Sequence, residues 1–348
     1  MRRFGRPWSR SGVPGRRTAP RAGLASLVAR LALCAGLVVA LAGTACGPDG
    51  PPDGVLRIGC FPNVTHAQAL VARQLERKGT PWFAPRLGVK VEWVTFNAGP
   101  SAMEALLSGA IDATYVGPNP ALNAHIRSRG DEVRVLAGAA SGGAALVVRR
   151  GAGLRGPADF RGRTIATPQL GNTQDVACRA WLAAGGLKVT VTGGDASVVP
   201  TANPDQLARF VAKELDAAWT VEPWVSRLER EADGEILVPE PDALTTVLVA
   251  SRALVERRGA LAKALVAAHA ELTTWVVAHP EEARVLVGAE LLALTRQPIA
   301  PDLLAHAWPR LRFEHAIDRA RFERLVTTAQ GVGFLADAIP LDRLVVAP

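Results

Sequence analysis

No group of cysteines or histidines in this chain has the spacing of a metal site, and no glycine-rich phosphate cradle of the P-loop form occurs. No nucleophile and base pair stands out, and there is no internal repeat or low-complexity tract after Gly54. These absences argue against zinc chemistry, nucleotide hydrolysis and repeat architectures. Neither a metal nor a cofactor is expected.

Cysteine is scarce, with four in 348 residues. Cys34 falls in the leader described next and Cys46 at its end, which leaves Cys60 and Cys178. A disulfide between these two is chemically permitted outside the cytoplasm, although their placement in different α/β units argues against it.

Acid is absent from the first 45 residues, which carry eight arginines (2, 3, 6, 10, 16, 17, 21 and 30) ahead of the uncharged run Leu31 to Ala42. That is the form of a signal peptide with a long basic start. A spanning helix needs about 20 apolar residues, and Leu24 to Ala45 approaches this only by including Arg30, so an uncleaved anchor is the alternative. Leu41-Ala42-Gly43-Thr44-Ala45-Cys46 resembles a bacterial lipoprotein signal with Cys46 as the lipidated residue. Gly43 stands where such signals usually have leucine, so cleavage after Ala45 or Ala42 stays open. Residues 46–54, rich in Pro and Gly, read as a flexible tether.

Whole-chain charge is misleading. Of 40 basic and 32 acidic residues, eight basic ones leave with the leader, and the remainder balances at 32 of each. The basic isoelectric point belongs to the leader, and a nucleic-acid partner loses its main support. Roughly 300 residues remain, enough for one large or two medium α/β units with proper cores.

Beyond Gly54 short β-branched runs alternate with helical patterns. Val55 to Gly59 leads into Phe61-Pro62-Asn63-Val64-Thr65-His66 and a helix; Val89 to Phe96 leads through Asn97 to Ser101 into another. Ala113 to Val116 is followed by Gly117-Pro118-Asn119-Pro120 and a third helix, and Val133 to Ala140 by Ser141-Gly142-Gly143. A second unit opens with strand Thr164 to Thr167, then Gly171-Asn172-Thr173-Gln174-Asp175 before the helical run Val176 to Ala184. Lys188 to Val191, Ala217 to Trp219 and Thr245 to Ser251 read as further strands, and the chain from Ala253 as almost wholly helical. The alternation predicts parallel sheets, with ligands outside the carboxyl ends of strands.

Phe61-Pro62-Asn63 with Thr65-His66, Gly109-Ala110-Ile111-Asp112 before a strand, Gly117-Pro118, Leu154 to Thr164, and Trp219 to Trp224 occur in an order that resembles the periplasmic substrate-binding proteins of ABC importers for sulfonates, nitrate and taurine. The similarity extends from about Val55 to Gly333. It implies an α/β fold of two lobes with a hinge and a ligand cleft between them: lobe 1 from 55–143 plus 250–348, lobe 2 with the crossovers from 144–249. It also implies no chemistry on the substrate, an ABC permease with its ATPase as partner, a monomer, and a place in the periplasm or on the outer face of the cytoplasmic membrane, held by the lipid at Cys46.

Candidate ligand residues are the polar helix starts and glycine loops. Asn63, Thr65 and His66 begin the first helix, and Gly117 and Asn119 mark a strand end and helix start. Ser141 precedes two glycines, and Gly171, Asn172, Thr173 and Gln174 open the helix of the second unit. Each is read against an ordinary cap or turn, as is Ser101, read first as an N-cap. Helix starts and neutral donors bind oxyanions, each hydrogen bond to a charged group contributing roughly 1.5 to 3 kcal/mol. Glu222, beside Trp219 and Trp224, is either a helix-start acid among core aromatics or the partner of a positive ligand end. The rival readings are an enzyme on the same scaffold, including thiamine-precursor synthesis, and a ligand sensor.

Overall fold

Each β-branched run closes as a short strand and each amphipathic run covers it, so the chain builds strand and helix in turn. The computed structural model describes residues 54–335 and 341–346. The expected signal peptide, Cys46 and the tether up to Asp53 lie outside them.

The first stretch comprises β1 (Val55–Cys60), a 3-10 turn at Val64–His66, α1 (Ala67–Arg77), α2 (Phe83–Leu87), β2 (Lys90–Thr95), α3 (Gly99–Leu107), β3 (Ala113–Val116), α4 (Pro118–Arg127) and β4 (Val133–Gly142). The middle stretch holds β5 (Ala144–Arg149), β6 (Thr164–Thr167), α5 (Thr173–Ala184), β7 (Val189–Thr190), β8 (Gly193–Gly194), β9 (Ser197–Pro200), α6 (Asn203–Val211), β10 (Ala217–Val221), α7 (Trp224–Glu231) and β11 (Gly234–Glu240). The last holds β12 (Leu244–Ser251), α8 (Arg252–Arg257), α9 (Gly259–Ala278), α10 (Pro280–Thr295), α11 (Pro301–Ala307), β13 (Leu311–Phe313) and α12 (Arg319–Gly331).

Two principal sheets result, ordered β13-β4-β12-β3-β1-β2 in lobe 1 and β11-β5-β10-β6-β9 in lobe 2. They are mixed rather than parallel. β1 runs parallel to β2 and β3, but β12 is antiparallel to β3 and β4, and β5 is antiparallel to β10 and β11. The two crossovers lie side by side: the chain leaves lobe 1 at the end of β4 through Gly143 and returns through Pro241 to Ala243 at the start of β12, so β12 runs back along β4. Because all of β12 lies in the six-stranded sheet, lobe 1 resumes at Leu244, six residues ahead of the expected 250. The tail is not wholly helical either, since β13 adds an edge strand to β4.

The crossovers are tied to each other. Gly142 N–H donates to the Ala243 carbonyl at 2.8 Å, and the Thr245 hydroxyl reaches the carbonyls of Ala140 and Gly142 at 3.1 and 3.0 Å. Gly142 and Gly143 hold φ of +74° and +69°, a region glycine enters without strain. Lobe 1 is clad by α1, α9 and α10 on one face, burying Leu70, Leu265, Leu272 and Val287, and by α3, α4 and α12 on the other, burying Met103, Leu122 and Phe322. Buried Glu290 on α10 pins α1 through Arg73 and Arg77 at 2.9 and 2.7 Å. Lobe 2 packs Leu146, Phe160, Ile165 and Trp219 on one side of its sheet and Val147, Ala218 and Phe210 on the other.

Candidate functional site

The loops that follow β1, β2 and β3 in lobe 1 meet those that follow β6, β9 and β10 in lobe 2. Between them lies a cavity of about 30 Å³, room for a compact group of a few atoms. Lobe 1 lines it with Phe61, Asn63, Thr65, His66, Asn97, Gly99 and Gly117, and lobe 2 with Pro168, Asn172, Thr173, Gln174, Asn203 and Val221. Five helices start here, because α1, α3, α4, α5 and α6 each open on one of these loops. First-turn N–H groups have no intrahelical partner, and each helix dipole places about half a positive charge at its start. Among the described residues no Lys, Arg, Asp or Glu lines the cavity. The groups there able to attract an anion are backbone N–H and neutral side-chain donors.

The stretch Gly171 to Asp175 shows how such a start is built. Asn172 caps α5 by accepting from Asp175 N–H at 2.8 Å, while its own amide donates to the Gln174 side chain at 3.1 Å. Asp175 is fully buried, bound by the Thr167 hydroxyl at 2.9 Å and Arg179 at 3.1 Å, and accepts from Gly171 N–H at 2.9 Å. That carboxylate fixes the loop from behind, and Gly171, at φ +75°, turns away from the cavity. Thr173 is 8% exposed and its hydroxyl oxygen has no hydrogen-bond partner within the protein. A buried hydroxyl left unmatched costs free energy unless a ligand or water meets it.

Across the cavity, His66 is buried against Phe61, ring centroids 4.4 Å apart, and its Nδ1 accepts from Phe61 N–H at 3.4 Å. The imidazole then carries its proton on Nε2 as a donor. Burial pushes its pKa down from 6.5 to about 3, so the ring is neutral. Gly117 leaves space that Thr173 occupies: a methyl group there would overlap the Thr173 hydroxyl. Asn63, Thr65, His66, Gly117, Asn172, Thr173 and Gln174 thus come together.

Five other candidates are placed elsewhere. Asn119 is buried behind the α4 start with its side-chain oxygen unpartnered, and Gly171 faces an outer groove near Phe334. Ser141 lies in β4 bonded to Glu314 and to Arg321, whose guanidinium is 2.7 Å away. Glu222 is fully buried and accepts from Arg310 at 2.7 Å and from Ser226 N–H and Oγ at 3.0 and 2.9 Å. Burial pushes its carboxyl above the ordinary range against the opposing pull of Arg310 and Ser226. It offers no free carboxylate to the cavity. Trp224 donates to Asn63, as a brace across the cleft. Ser101 falls inside α3 with its hydroxyl on the Ala98 carbonyl, and Ala98 is the N-cap because α3 begins three residues earlier than the sequence pattern suggests. Cys60 and Cys178 are both buried free thiols.

Asn97, Asn203, Val221 and Thr245 line the cavity without having been singled out. Asn203 was readable, since Asn203-Pro204 opens α6 in the same form as Asn119-Pro120. Thr245 carries no local signal, being a strand residue whose position depends on the crossover.

A model of the NMT1-like family matches residues 49–291. The chain belongs to this family. Among curated relatives, the taurine-binding periplasmic protein of Escherichia coli (strain K12) is 30% identical over 158 residues, covering 44% of this chain. The match spans 46% of that relative, about half its length. The alkanesulfonate-binding protein of Xanthomonas axonopodis pv. citri, solved with MOPS, superposes with a TM-score of 0.69 at 20% identity over 85% of this chain and 99% of that one. The periplasmic nitrate-binding protein of Synechocystis PCC 6803 gives 0.71 at 15% identity, over 85% and 87%. This NMT1-like chain therefore has the two-lobed periplasmic-binding-protein fold, with its cavity where the lobes meet.

Proposed function

We propose that this NMT1-like protein is an extracytoplasmic solute-binding lipoprotein. It captures a small anionic or zwitterionic ligand, such as a sulfonate, taurine or nitrate, and hands it to an ABC permease. The supporting observation is the convergence of five helix starts and unmatched Thr173 on a cavity without charged side chains. An oxyanion fits that field, because N–H and hydroxyl donors replace its hydration shell without a counter-ion. No group there is placed as nucleophile and base, and closure of two lobes around cargo is a recurring hinge motion.

The likeness to the taurine-binding relative supports the ligand class and the periplasmic location. Lipidation at Cys46, delivery from a membrane tether and a monomeric state complete the reading. Thermal-shift screening of the protein against nitrate, alkanesulfonates, taurine, phosphonates and thiamine precursors tests it, with at least one of the anions raising the melting temperature. If none does, the ligand class is wrong. Palmitate labelling that disappears in Cys46→Ala tests the anchor.

A further inference from the structure

Thr173 has a second side. Its residue also borders a separate cavity of about 300 Å³, walled by α5, β10 and β11 from lobe 2 and by α4 and α12 from lobe 1. Four features of that cavity point the same way. Among the described residues, Glu240, at the end of β11, brings the only acid in its lining, and no Lys or Arg lines it. The carboxylate accepts from the Trp219 indole N–H at 2.7 Å and makes no ion pair among the described residues. Two oxygens in the same wall lack any partner, Oδ1 of Asn119, 4% exposed, and Oγ1 of Thr173. Trp181, half-buried and with its ring centroid 6.0 Å from that of the buried Trp219, supplies aromatic surface.

Burial pushes the Glu240 carboxyl above its ordinary range, opposed by the Trp219 hydrogen bond. A carboxylate in that position is short of positive charge, and aromatic faces attract cations rather than anions. An ammonium group carries three N–H donors and one positive charge. Glu240 supplies both the opposite charge and an acceptor for them.

We propose that this cavity binds a small ammonium group, with Glu240 as its counter-ion and Trp181 in its wall. Thr173 borders both cavities, so the two lie on either side of one residue. The ammonium is either the far end of a zwitterion whose acidic end fills the smaller cavity, which rests on the function proposed above, or a separate amine. In both cases the occupant touches both lobes and favours the closed arrangement.

Isothermal titration of the wild type and Glu240→Gln with ethanesulfonate, taurine and ethylammonium tests this. Glutamine keeps an acceptor for Trp219 and nearly the same volume. For a zwitterion, taurine binds at least tenfold tighter than ethanesulfonate, and Glu240→Gln removes that advantage while ethanesulfonate affinity stays. For a separate amine, ethylammonium binds alone and loses at least tenfold in the variant. The proposal is overturned if ethylammonium gives no heat and taurine shows no advantage, or if amine binding survives Glu240→Gln unchanged. Should that variant not fold, Ala180→Leu, which narrows the cavity from α5, must weaken amine binding tenfold, and unchanged affinity rejects the site. Failure of ethanesulfonate alone counts against the anion cavity and leaves the ethylammonium arm decisive.

Discussion

The indole N–H of Trp224, in lobe 2, donates to the side-chain oxygen of Asn63, in lobe 1, at 3.1 Å, and the Asn203 amide reaches the same oxygen at 3.3 Å. Lobe 2 therefore holds a cavity residue of lobe 1 by both lone pairs, which orients the Asn63 amide as a donor. Trp224→Phe keeps the ring and removes the bond, a net loss of about 1 kcal/mol, or roughly fivefold in affinity. Fluorescence or calorimetric titration with the tightest anion reads it. An unchanged Kd means that the brace contributes nothing to closure.

Thr173 and Gly117 face each other across the cleft. Thr173→Val preserves shape and removes the unmatched hydroxyl, so affinity should fall about tenfold or more while thermal stability holds or rises slightly. Gly117→Ala inserts a methyl group against Thr173 and should weaken binding further with the fold intact. Wild-type affinity in both variants would remove this pair from the site.

The hinge is sensitive to a single Cβ. Gly142→Ala meets the Arg310 carbonyl, and Gly143→Ala meets the Leu311 side chain, with both backbones at positive φ. The conformational part alone costs about 1 to 2 kcal/mol for each. Chemical denaturation should show at least that loss, and Gly54→Ala, with nothing near its Cβ, is the control.

Two buried imidazoles make the protein acid-sensitive. His66 and His269 have pKa values pushed down by burial from 6.5 to about 3 and about 4. His269 is held neutral between Tyr115, at 3.0 Å, and the Gly138 carbonyl, at 2.7 Å. The unfolded chain takes up protons at these sites below pH 6.5 while the folded protein does not. Their stabilisation is thus complete above pH 6.5 and lost as pH falls, about 2 kcal/mol each at pH 5. Urea unfolding at pH 7.5 and 5 should show this loss, reduced in His66→Gln. An identical pH dependence in the variant argues against a neutral buried His66.

Arg310 neutralises two acids of lobe 2, reaching Glu222 at 2.7 Å and Glu229 at 2.8 Å. Arg310→Ala leaves buried Glu222 without its cation and should destabilise by about 3 to 5 kcal/mol. Glu222→Gln in that background should restore part of the loss. If the two changes add without coupling, the pair is not acting as a unit.

Legibility in the sequence followed locality. Asn63, Thr65, Gly117 and Thr173 each stand where a strand gives way to a polar helix start within a few residues, a pattern that marks them as candidates beside the ordinary cap, with the family resemblance adding weight. Ser141 and Glu222 have the same local look, but their partners Glu314, Arg321 and Arg310 come from the tail, far along the chain, and no periodicity foretells that they meet. Glu240 was invisible for another reason. It ends β11, where an irregularity between Ile236 and Val238 breaks the alternation that marks a strand. Two α/β units were readable from alternating runs and the lobes followed from the resemblance, whereas the antiparallel return of β12 depends on where the chain re-enters lobe 1, which only the fold reveals.

The crossover arrangement also sets an order of assembly. Every strand of the second sheet lies in one unbroken stretch from β5 to β11, whereas the first sheet is unfinished until β12 and β13 have followed. Contacts close in sequence form at lower entropic cost than distant ones. Lobe 2 should therefore become protected from hydrogen exchange first during refolding. The central strand of lobe 1, β12, then arrives between β3 and β4 once lobe 2 is complete, and the cleft forms only when it is seated.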